Sequence, residues 1–243
     1  MVLDTPYLEI NNIAGEQAGV RFSNQEQIKN VGEVSVISHK GKTGLIVASG
    51  AELSFKKITL RALNGDDARV EVFANGKVEI GELSGSGDKS LVQTNAGASA
   101  TINNIIVEQD GILNFETLGS TQTPGTDETG IFTISNIYVK KGGNFRVSVY
   151  GNHPDAKVNA DNLTITLDSG AIADFGGWKK AENNDWDPAR IFLTADTLTV
   201  NVLDTTELPT VYLSGVSGNT TVGSLSVVAA GSNNCLLYTS DAA

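Results

Sequence analysis

One pattern recurs along the chain and restricts its fold more than any other feature. It reads apolar, any residue, apolar, two polar residues, apolar, any residue, apolar. The first copy is Leu8, Ile10, Ile13, and a degenerate second is Ile28, Val31. Fuller copies follow at Leu53, Phe55, Ile58, Leu60, at Val78, Ile80, Leu83, and at Ala100, Ile102, Ile105, Val107. The remaining copies are Phe132, Ile134, Ile137, Val139; Val158, Ala160, Leu163, Ile165; Leu193, Ala195, Leu198, Val200; and Val222, Leu225, Val227. From copy to copy the second apolar position advances by 18, 27, 25, 22, 32, 26, 35 and 27 residues. Alternation on each side of the break is strand periodicity. Because inward alternation resumes after two residues, the chain turns a corner and keeps the same face buried.

The dipeptide at the break is the informative part. Its second place is Asn in five copies: Asn12, Asn30, Asn104, Asn136 and Asn162. Asn tolerates the left-handed conformation that a sharp bend can require. Several copies also follow a short apolar stretch and a Gly-bearing turn, as in Leu45-Ile46-Val47 with Ser49-Gly50, or Val70 and Val72 with Asn75-Gly76. Three short strands and three corners in about 25 residues describe one coil of a parallel β-solenoid. Stacked coils bury an apolar face that no single coil can bury. The five Asn are expected to stand over one another as a corner ladder sharing amide hydrogen bonds. Residues 1–234 read as one such domain, about 40 Å long at the usual rung spacing.

Composition agrees. Gly accounts for 26 of 243 residues and there is one Met, a balance that disfavours helix and suits strands joined by tight turns. The net charge of −11 argues against nucleic acid or an anionic membrane surface as partner. No run of about 20 apolar residues offers a membrane-spanning helix, so direct membrane insertion of this segment is not expected.

The last nine residues, Cys235-Leu236-Leu237-Tyr238-Thr239-Ser240-Asp241-Ala242-Ala243, look like a translated transposon-end adapter of the kind used to prepare sequencing libraries, whose DNA encodes them in order. Residues 235–243 are therefore expected to be an adapter-derived tail. The natural part then ends near Asn234, contains no Cys and is a fragment of a longer chain.

Irregular, cysteine-free coils rich in Asn, Thr and Gly resemble the passenger domains of bacterial autotransporters, the pertactin-like right-handed parallel β-helices. The likeness is carried by Gly50-Ala51-Glu52-Leu53-Ser54-Phe55, Gly76-Lys77-Val78-Glu79-Ile80 and Gly97-Ala98-Ser99-Ala100-Thr101-Ile102. The resemblance implies an all-β, right-handed β-helix exposed at the bacterial cell surface as a stalk or adhesin. It implies attachment through an outer-membrane β-barrel of the same parent chain, and a host glycan or surface protein as partner. The family's signal peptide, joining segment and barrel do not occur in these 243 residues.

Catalytic patterns are weak. His39 and His153 are far apart and beside turn residues, so both read as solvated loop residues; no metal or cofactor is expected. Gly41-Lys42-Thr43 lacks the upstream Gly of a phosphate-binding loop, Val36 standing in its place. Gly215-Val216-Ser217-Gly218 misses the nucleophile elbow by one residue. Polysaccharide lyases and polygalacturonases share the β-helix, and Asp161 with Asp196 would stack in successive coils as a carboxylate pair. Asp is equally a good corner residue. The loop from Gly176 to Pro188 holds both tryptophans, Trp178 and Trp186. They either pin the loop to the flank or present indoles to a ligand. The expectation is a non-catalytic surface module, with a polysaccharide-degrading enzyme and a phage tail-spike-like fibre as alternatives.

Overall fold

The computed structural model describes residues 2–64, 66–95, 97–118, 130–150, 155–176, 178–180, 186–188, 190–213, 219–229 and 236–238. The chain is all-β and winds as a parallel β-solenoid of about 26 residues per turn. Among the described residues the only helical piece is a 3-10 turn, Gln25–Gln27.

Two sheets carry the stack. The first runs through Tyr7–Asn12, Glu33–Ser38, Glu52–Ala62, Lys77–Gly87, Ser99–Val107, Ile131–Val139, Asp155–Leu167, Arg190–Val202 and Asn219–Ala229. The second runs through Gln17–Phe22, Lys42–Val47, Asp67–Val72, Ser90–Thr94, Ile112–Leu118, Asn144–Tyr150, Ile172–Asp174, Thr210–Tyr212 and Leu236–Tyr238. Each strand pairs in parallel with its counterpart one coil away, so each sheet is nine rungs deep along this path. Two of the three expected strands per coil prove to be one bent strand. The polar dipeptide bends it without interrupting the ladder: Phe55 pairs with Ile80 before the bend, and Ile58 with Leu83 after it.

Like residues stack inward. Leu53, Val78, Ala100, Phe132, Val158 and Leu193 form one buried column of the first sheet. Four phenylalanines thread the later coils. Phe115 lies 5.0 Å from Phe132 and 5.1 Å from Phe145 between ring centres, and Phe145 lies 5.5 Å from Phe175. All four are fully buried. The interior is therefore one continuous apolar column, which supplies the main favourable term in folding.

The corner ladder is shorter than the sequence implies. Asn104 and Asn136 are paired, and Asn136 Nδ2 donates to Asn104 Oδ1 at 3.1 Å and to the Asn103 carbonyl at 3.2 Å. One rung below, Asn104 Nδ2 donates to the Gly81 carbonyl at 3.2 Å. Asn162 is displaced. Its strand lengthens by two residues, so Asn136 faces Thr164, and Asn162 instead accepts from Thr197 Oγ1 at 2.6 Å. The extra pair adds Leu163 to the interior.

Asn12 and Asn30 do not belong to the ladder. Leu8 and Ile10 align with Val34 and Val36, and these with Ile58 and Leu60, so the first copy lies after its bend and not across it. The bends of the first two coils fall at Pro6 and Gly32. The Gly32 and Glu33 amides both donate to Pro6 O, and the Lys56 and Lys57 amides both donate to Gly32 O. Asn12 closes a turn, accepting from Gly15 N at 2.9 Å and donating to Lys40 O at 2.6 Å. Asn30 is left-handed, with φ 60°, and donates to Asp4 Oδ1 at 2.8 Å.

The other two corners differ from each other. Passing from the first sheet to the second, the chain uses tight four-residue turns. Gly111 N bonds Glu108 O, Gly143 N bonds Lys140 O and Ala171 N bonds Asp168 O. Each has a positive φ at its third residue: Asp110, Gly142 and Gly170. That is the signature of a type II turn. Passing back from the second sheet to the first, the three coils after the first turn equally tightly. Ala51 N bonds Ala48 O, Gly76 N bonds Phe73 O and Ala98 N bonds Asn95 O, with Gly50, Asn75 and Gly97 at positive φ. In the Asn75-Gly76 turn it is thus Asn that supplies the left-handed residue. From the fourth second-sheet strand after Gln17–Phe22, Ile112–Leu118, onward this corner changes. The connections 119–130, 151–154, 175–189 and 213–218 all leave from it.

The last described rung of the first sheet is open to solvent. In Asn219–Ala229 the residues Leu225, Val227 and Val228 are 47%, 47% and 56% exposed, although Leu225 and Val227 continue columns in which Leu198 and Val200 are fully buried. Leu236–Tyr238, in the expected tail, pairs with Thr210–Tyr212 as the last rung of the second sheet.

Candidate functional site

On a strand wound round a core, alternate side chains point outward, and parallel register sets them in columns across the rungs. On the second sheet one outward column reads Gly44, Arg69, Leu91, Asn114, Arg146, Asp174. Its neighbour reads Ile46, Glu71, Gln93, Glu116, Ser148. A groove of about 1050 Å³ runs over these columns. From Arg69 to Asp174 it crosses four rung steps, about 19 Å at the usual strand spacing.

The groove floor is tied together across coils. Arg69 Nη2 meets Asp67 Oδ2 at 2.5 Å, and Arg69 Nη1 donates to Gln93 Oε1 at 3.2 Å. Gln93 Nε2 then donates to Glu116 Oε2 at 3.0 Å. One chain of carboxylate, guanidinium, amide and carboxylate thus spans three rungs. Alongside it, Ser148 Oγ donates to Asn114 Oδ1 at 3.0 Å. Gln93 is buried and the Phe115–Phe145–Phe175 stack lies behind the later rungs. The polar groups are accordingly held in place before any ligand arrives.

Asp174 closes the far end. A bulge interrupts the register here, which advances by two residues between the pairs Arg146–Asp174 and Val149–Lys179. In this bulge Gly176 N donates to Asp174 Oδ1 at 2.7 Å. Burial pushes the Asp174 carboxyl above its ordinary value, against the opposing pull of the Gly176 amide and Arg146. The folded state therefore keeps a proton that the unfolded chain has already lost. Stability falls as pH rises through and above the ordinary carboxylate value of 3.8. Asp174→Asn is expected to gain stability over the wild type at neutral pH and to lose that advantage in acid. Urea unfolding at a series of pH values reads this directly; a constant difference across pH would contradict it.

The ribbon bearing both tryptophans branches off at this same end. The strand Trp178–Lys180 pairs with Val149 and Tyr150, and antiparallel with Trp186–Pro188, which among the described residues pairs with no other strand. The Trp178 and Trp186 side chains, and all of His153, lie outside the described residues.

The other residues singled out from sequence lie elsewhere. Asp161 and Asp196 do stand at one position in successive rungs, between the pairs Ala160–Ala195 and Asn162–Thr197. Both are exposed at the bend of the first sheet, and neither lines the groove. His39 is half-buried in a smaller hollow of about 630 Å³ on the first sheet. Lys57, paired with Glu82 at 2.8 Å, also lines that hollow, as does Ser84, which donates to Thr59 at 3.2 Å.

Sequence reading missed the groove because its residues form no local motif: Arg69, Leu91, Asn114, Arg146 and Asp174 lie 22 to 32 residues apart. The signal was the outward half of the alternation in the second-sheet strands, which becomes a column only once their register is known. No family model, no curated protein and no solved structure matches the chain.

Proposed function

We propose that the chain is a non-catalytic, surface-exposed passenger segment of a bacterial autotransporter, of stalk or adhesin type. The observation that carries this reading is the division of labour between corners. Along the later coils one corner keeps four-residue turns at 108–111, 140–143 and 168–171 and lengthens only at 203–209, while the other releases the longest connections, 119–130 and 175–189. A rigid rod that projects variable connections along one edge suits presentation to an outside partner, here a host glycan or surface protein. Stacking by nearest neighbours also suits a chain that folds progressively as it emerges. Among the described residues, the large exposed apolar side chains are scattered over the first coil (Tyr7, Ile13), the last rung (Leu225, Val227, Val228) and positions between such as Leu63 and Tyr212, which favours a single rod over a trimeric tail-spike-like fibre. Native DNA on both sides of this sequence is expected to encode a secretion signal upstream and an outer-membrane β-barrel downstream in the same frame. A parent gene without a barrel would overturn the assignment.

The groove favours one second reading, a β-helical polysaccharide-degrading enzyme, since it gathers Arg69 and Arg146 with Asp67, Glu116 and Asp174. On that reading the purified protein releases new chain ends from a polysaccharide, and Glu116→Gln with Asp174→Asn abolishes the release.

A further inference from the structure

We propose that the groove on the second sheet binds a linear, uncharged polysaccharide lying parallel to the solenoid axis. The proposal rests on the surface-exposed reading only for its supply of ligand, and it is tested below on purified protein.

Charge decides first against polyanions. Lys42, Arg69, Lys89 and Arg146 face the groove along with five carboxylates, those of Asp67, Glu71, Asp88, Glu116 and Asp174. A polyuronate or nucleic acid requires a surplus of cations, and the balance here is slightly negative. Sugar hydroxyls ask for something different, because each both donates and accepts. The floor offers both kinds of group side by side: guanidinium and amide donors at Arg69, Arg146, Gln93 and Asn114, and carboxylate acceptors at Glu116 and Asp174.

Geometry supplies the direction. Equivalent outward positions repeat once per rung along the axis. A linear glycan repeats one sugar at a closely similar spacing, so successive sugars meet successive rungs. Leu91, Ile112 and Leu118 also line the groove and give the carbon–hydrogen faces of the rings an apolar surface. An extended peptide along the axis would run across the strands and gain none of the edge pairing that usually binds peptides to sheets. The Asp67–Arg69–Gln93–Glu116 chain is already ordered, so less side-chain freedom is lost on binding.

Affinity electrophoresis through gels containing galactomannan, arabinoxylan, lichenan or amylose tests the site. At least one is expected to retard the protein. Arg146→Ala and Gln93→Ala should each weaken that retardation at least tenfold, and Glu79→Ala, on the outer face of the first sheet, should leave it unchanged. A thermal melt of each variant shows that its loss of retardation is not due to unfolding. Three results would each overturn the proposal: no retardation by any of the four, retardation indifferent to both groove substitutions, or preferential retention by polygalacturonate or by carboxymethylated casein. Any of them leaves the surface assignment standing, because that is judged by the parent gene.

Discussion

Gly87→Ala is expected to destabilise the protein by at least about 3 kcal/mol, whereas Gly50→Ala costs about 1 kcal/mol. The two glycines share a backbone conformation, with φ of 79° and 70°. They differ in what a side chain would meet. Nothing lies within 4 Å of a Cβ built on Gly50, while one built on Gly87 overlaps the carbonyl oxygen of Ala62 in the rung below. Gly87 pairs with Ala62 at the end of the bent strand, so relief requires prising two rungs apart. At Gly50 only the left-handed backbone is penalised. Urea unfolding of both variants separates the effects. Equal losses would show that the close approach to Ala62 does not determine the spacing of the coils.

Phe145→Ala should cost about 3–5 kcal/mol, in the usual range for a large buried ring. Phe145 is fully buried between Phe115 and Phe175, so truncation leaves a cavity lined by two rings that cannot both follow it inward. The damage should also be local. Coils contact chiefly their neighbours, and such arrays can open in part. Hydrogen exchange is expected to quicken in Ile112–Leu118 and Asn144–Tyr150 while Lys42–Val47 keeps its protection. Uniform acceleration along the whole rod would mean that it unfolds as one unit.

The architecture was legible where the polar dipeptide interrupts a long alternation. Lys56-Lys57, Gly81-Glu82, Asn103-Asn104 and Ser135-Asn136 all stand at the bend, as their pairings show. The first two coils were misphased for a physical reason. Alternation looks the same before and after the bend, so Leu8 and Ile10 cannot be assigned to either side without knowing that Pro6 and Gly32 carry the bridging carbonyls. The displacement of Asn162 was hidden similarly. A two-residue extension preserves which residues face inward, so the pattern of Val158, Ala160, Leu163 and Ile165 stays intact while its register with the coil below shifts. The groove was the least accessible of all, since the interior constrains residue type strongly and the outward face hardly at all.

The unequal corners have a consequence for how such a molecule can change. Residues added or lost between Leu118 and Ile131, or between Tyr150 and Asp155, leave the pairing of the flanking strands as it was. A comparable change between Val139 and Asn144 would displace a turn wedged between two sheets. One edge of the rod is thus free to diversify by insertion and deletion, while on the opposite edge the stacked turns 108–111, 140–143 and 168–171 hold the pitch up to the longer connection 203–209, much as a rail accepts new fittings without being recut.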